Sequence, residues 1–122
     1  MSKRTLQQIA QLRGLSDMIL QTRLSALQAA GQARAQTQLQ LQALAAPKPA
    51  VMDDGVHFQA ALHVAETHAV WVTGQRKELS ELLAHQTATW LDARDSARVA
   101  QGRNSVLSDL HKILAKPQSG QT

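Results

Sequence analysis

The chain has 122 residues, no cysteine and a hydrophobic fraction of 43%, and its only aromatic residues are Phe58, Trp71 and Trp90. So little aromatic surface argues against a compact core and for long helices of Ala, Leu and Gln, and the lack of cysteine excludes disulfide and thiolate chemistry. The net charge of +4 and pI of about 10.1 keep an anionic partner in view, yet the excess is spread along residues 1–46, where Lys3, Arg4, Arg13, Arg23 and Arg34 face Asp17 alone.

The first predicted element runs from about residue 3 to residue 46. Between Leu6 and Ala46 there is no proline, Gly14 and Gly31 stand alone, and ten Gln residues accompany many Leu and Ala. These are good helix formers. Thr5 with Gln8 has the spacing of a capping box, in which a hydroxyl and an amide side chain satisfy free amides at a helix start. Leu6, Ile9, Leu20, Leu27, Ala30, Leu41 and Leu44 fit one heptad frame, diluted by Arg13, Ser16, Arg23 and Arg34. Leu12, Leu15 and Ile19 form a second, adjacent line.

A break follows at AAPKPAVMDDG, residues 45 to 55. Pro47 and Pro49 lack amide donors and push the residues before them out of helical geometry, so a turn is predicted over 47–54. Asp53 or Asp54 is placed to cap the next helix.

The second predicted helix spans about 55–116, and its heptad is cleaner. Positions 58, 62, 65, 69, 72, 76, 79, 83, 86, 90, 93, 97, 100, 104, 107, 111 and 114 are apolar in thirteen of seventeen cases. A repeat sustained over that length predicts a coiled coil. Arg76, Gln86, Asn104 and His111 interrupt the seam, where polar residues set register or partner choice. Pro117 ends the helix and 117–122 read as a flexible tail. The fold class expected is all-α: two long helices in an antiparallel coiled-coil hairpin, the second longer than the first. Two helices that each pair in a dimer are the alternative.

If the turn centres near residue 50, facing residue numbers add to about 101, and the second helix outruns the first beyond about Ala97 by roughly 27 Å at helical rise. There the apolar stripe widens: Val99, Val106 and Ile113 recur at seven-residue intervals with Leu110 beside them. Burying such side chains stabilises a contact by roughly 1.5–3 kcal/mol each. Val99, Arg103, Val106, Leu110, Lys112 and Ile113 are therefore the candidate partner-binding residues. A second copy of the chain, or a slide of the first helix in register, would also cover the stripe.

No chemistry emerges beside this. HVAETH (63–68) has its histidines at i and i+5 with the glutamate misplaced for a zinc motif. The carboxylates are spaced as surface charges, no glycine belongs to a phosphate loop, and no dense basic block precedes the heptads as in a basic leucine zipper. No catalytic residue, cofactor or metal is expected, and nucleic acid is disfavoured. No apolar run has the length of a signal peptide or a membrane span.

A short basic chain with a Gln/Ala/Leu-rich first helix, a brief break and a longer second helix resembles the FliJ and YscO family of flagellar and type III secretion export proteins. The line WVTGQRKELSELLAHQTATWLDARDSARVAQGRNSVLSDL is similar to the second helix of such proteins. The resemblance covers about residues 3–116. It implies a cytoplasmic stalk, at most peripheral to the inner face of the cell membrane, whose paired termini enter the ring of an export ATPase and which also contacts the export gate and chaperones. Carried to this chain, the tip would be Lys3 and Arg4 with the stretch around Arg103, Leu110 and Lys112. A secretion chaperone or a homo-oligomeric scaffold is the other reading.

Overall fold

The computed structural model describes residues 3–45 and 55–116. Helix α1 covers Lys3–Ala45 and helix α2 covers Gly55–Ala115, 43 and 61 residues long. They pack against each other as an antiparallel hairpin, with the second helix the longer. The predicted turn at 47–54, the Asp53 or Asp54 cap and the tail after Pro117 lie outside the described residues. Helix α1 already runs from Lys3, so Thr5 sits inside the first turn and is not its N-cap. Among the described residues no helix is long and apolar enough to cross a membrane.

The chain divides into two units. One comprises Met1–Gly31 with Thr89–Thr122, the other Gln32–Ala88. In the first, the seam is lined by Ile9, Leu20, Ala97 and Ala100, all buried, with Leu27, Trp90, Leu107 and Leu114 half-buried around them. In the second, Thr37 is buried, its hydroxyl donating to the Ala33 carbonyl at 3.2 Å, and Leu41, Leu79 and Leu83 are half-buried. Among the described residues no large side chain is fully buried. Small residues at the seam let two helix backbones approach, but they remove little apolar surface from water.

The register differs from the expected one. In the first unit Arg13 Nη1 lies 3.2 Å from His111 Nδ1, and Asn104 donates to the Asp17 carboxylate. The indole of Trp90 lies over Gly31, where an added Cβ would meet Nε1 at 3.4 Å. In the second unit Arg34 Nε donates to Thr87 Oγ1 at 3.0 Å. Facing residue numbers thus add to about 121, roughly twenty more than a turn centred near residue 50 would give. In this register polar interruptions of the seams find partners: Arg13 meets His111, Asn104 meets Asp17 on the flank of the seam, and Arg34 meets Thr87. A guanidinium facing an imidazole, or an amide facing a carboxylate, is hydrogen-bonded, whereas the same groups set against Leu or Ala lose their water without replacement.

The stretch of α2 that α1 does not reach is therefore at the other end. Residues 97–116 are not an overhang: Ala97 and Ala100 are only 6% and 5% exposed. Within the second unit, the Arg34–Thr87 contact sets Ala45 level with about Arg76. Phe58, Leu62, Ala65 and Ala69, the first four seam positions of α2, are accordingly exposed, and half-burial begins on the frame at Val72.

The seam is also imperfectly satisfied. Gln86 Oε1 and Arg94 Nε are buried without a hydrogen-bond partner, although the Arg94 guanidinium lies 5.7 Å from the Trp90 ring centroid and 3.7 Å from the Asp95 carboxylate. Each orphaned polar atom costs about 1–3 kcal/mol.

Two measurements check this arrangement. Because the chain has no cysteine, thiols placed as Asp17→Cys with Asn104→Cys are expected to be joined by a short bismaleimide, whereas Ile9→Cys with Asp92→Cys, facing in the register summing to 101, stay unlinked. The reverse result would restore that register. Gly14 and Gly74 have open space where a Cβ would stand, so changing either to Ala should stabilise its helix by about 0.8–1 kcal/mol, read as a higher unfolding temperature. Gly31→Leu, driven into the Trp90 indole, should lower it.

Candidate protein-docking face

The site belongs to the first unit and follows from heptad geometry. Label the seam of α1 so that Leu6, Arg13, Leu20 and Leu27 are a and Ile9, Ser16, Arg23 and Ala30 are d. On α2, Trp90, Ala97, Asn104 and His111 are a, and Ala93, Ala100, Leu107 and Leu114 are d. Leu12 and Ile19 are then g and Leu15 is c; Arg103 and Leu110 are g; Val99, Val106 and Ile113 are c. In an antiparallel pair the g edges of both helices border one side of the seam and the e edges the other.

Both sides are visible in the packing. A shallow groove lined by Arg23, Ala26, Asp92, Ala93 and Ser96 joins the g residues Ala26 and Ser96 across the seam. On the opposite side the e residue Asp17 accepts from Asn104, and the e residue Arg94 spreads over Trp90. The hairpin is therefore two-faced. Its e side carries the polar contacts. Its g/c side carries Leu12, Leu15 and Ile19 from α1 with Val99, Val106, Leu110 and Ile113 from α2, all exposed. Val106 and Ile113 are 65% and 68% exposed, well beyond what a helix flank needs merely to pack.

The six candidate residues lie in this unit, and their exposure has a different cause from the one expected. Helix α1 does reach past Val99, Val106, Leu110 and Ile113, but it covers only the a and d positions between them. Arg103 lies on the same side and is exposed, whereas Lys112 is a b residue, exposed beyond the edge of the face. The α1 half of the face was missed as a site, although Leu12, Leu15 and Ile19 stood out as a line beside the seam. The signal was that this line and the Val99 line occupy equivalent heptad positions, which an antiparallel pairing brings to one side.

Between Val99 and Val106 the surface opens into a hollow bordered by Gly102, Arg103 and Leu107, and a Cβ at Gly102 would meet nothing within 4 Å. Apart from Arg103, the g and c positions from Ser96 to Ile113 and from Gln8 to Ala29 carry no charge. Apolar faces above about 600 Å² are uncommon on monomeric proteins and mark contact sites.

His68 stacks on Trp71 with ring centroids 5.8 Å apart, and among the described residues no group of three His, Cys, Asp or Glu side chains is placed to hold a metal ion. No protein-family model, curated protein or solved structure matches the chain.

Proposed function

We propose that this protein is a non-enzymatic coiled-coil component of a flagellar or type III protein-export apparatus, a stalk that engages the export ATPase ring and the export gate from the cytoplasmic side. The reading rests on the resemblance of the chain to the FliJ and YscO family. The observation that best supports it is the pairing of two helix ends: the Arg13–His111 contact puts the start of α1 and the end of α2 at one end of the first unit. Exposed Lys3, Arg4, Lys112 and Lys116 gather there as a basic tip, beside a face suited to binding protein. A cationic tip steers association with an acidic surface, and the apolar face supplies contact energy.

A homo-oligomeric scaffold is the second reading, favoured by the same exposed g/c face. Export-stalk activity is tested by capture of the full-length chain on the immobilised cognate export ATPase. Wild-type protein is expected to bind, and a variant carrying Lys3→Glu, Arg4→Glu, Lys112→Glu and Lys116→Glu is expected to bind at least about tenfold more weakly. No capture of the wild type, or equal capture of the variant, would reject the stalk.

A further inference from the structure

The g/c face of the first unit is large, almost uncharged and built from both helices, and its own layout says what fits it. With each exposed side chain contributing on the order of 100 Å², Leu12, Leu15, Ile19, Val99, Val106, Leu110 and Ile113 together offer roughly 700 Å², close to the ~800 Å² per partner of a stable interface. The α1 part is centred on Leu15 and the α2 part on Val106, and the observed register puts these two residues level with each other. One two-fold axis crossing the face at that level therefore serves both helices.

We infer that two copies of this chain stack through the g/c faces of their first units, antiparallel and centred on Leu15 and Val106, to form a four-helix bundle. The symmetry is self-complementary in chemistry as well as in shape. Val99 meets Ile113 of the second copy, Val106 meets its equivalent, and Leu12 meets the Met18–Ile19 turn of the second copy. Leu110 comes level with the open space at Gly102. Arg103, the one charge within the face, comes level with Asp109 of the second copy, so assembly offers the cation a carboxylate. An isologous interface of this kind satisfies each such contact twice. The inference rests on the reading that the face binds protein, and is independent of the export assignment.

The test is the mass of the full-length purified chain by light scattering and sedimentation equilibrium at about 1–100 µM, with helicity followed by circular dichroism. The wild type is expected to weigh twice its 13.3 kDa chain mass. Val106→Glu with Ile113→Glu, both exposed in the hairpin, should give a helical monomer. Arg103→Glu sets like charges together twice and should weaken the dimer about tenfold, while Arg103→Glu combined with Asp109→Arg restores it. A wild-type monomer across this range overturns the inference, and if that monomer captures the export ATPase through Val106 and Ile113 the protein-binding reading survives with a different occupant. A dimer indifferent to Val106→Glu with Ile113→Glu places the interface elsewhere and overturns it as well. A charge swap that fails to rescue Arg103→Glu overturns the antiparallel stacking.

Discussion

A helix in a two-helix hairpin has one neighbour, and that neighbour can cover only the a and d stripe, less than half of its circumference. Everything in this molecule follows from that shortage of cover. The seam buries Ile9, Leu20, Ala97, Ala100 and Thr37 among the described residues, and no large side chain disappears completely. Stability must then come from many partial burials along the length, and apolar residues flanking the seam stay in water unless something else reaches them.

Within that constraint the seam spends much of its limited area on polar residues. Arg13 faces His111, Asp17 faces Asn104, Arg34 faces Thr87, and Gln86 and Arg94 keep orphaned atoms. Each such position adds less than a leucine would. What they add is discrimination, because an alignment that separates the partners leaves half-buried Arg13, His111, Arg34 and Thr87 without these hydrogen bonds. The Gly31–Trp90 contact works the same way by volume: the indole fits where no side chain stands, and in few other places along α1.

The same pairs explain what was legible in the sequence. The two helices, their unequal lengths and the seam of α2 from Val72 onward could be read from composition and heptad period, because those depend on local chemistry. The register could not be read that way. The expected and observed alignments differ by about twenty residues, close to three heptads, and a slide of whole heptads returns a to a and d to d. Only the matching of unlike interruptions, such as Arg13 with His111, separates the two. The exposed stripe at Val99, Val106, Leu110 and Ile113 was visible for a sound reason, its period, but was attributed to a missing partner helix. Its α1 half, Leu12, Leu15 and Ile19, could be recognised as part of one face only once the pairing direction and heptad phase were combined.

The g/c face joins residues far apart in the chain. The contacts that frame it, Arg13–His111 and Asp17–Asn104, span 98 and 87 positions, whereas Arg34–Thr87 in the other unit spans 53. The longer loop costs only about 0.5 kcal/mol more to close, but long-range contacts form slowly unless shorter ones have already brought the strands of chain together. Folding is therefore ordered by topology: the pairing with the shortest separation in sequence forms first, and the apolar face is completed last. While the chain is being made, Leu12, Leu15 and Ile19 emerge long before Val99, Val106 and Ile113 exist to stand beside them, so the composite surface is offered only by a finished hairpin.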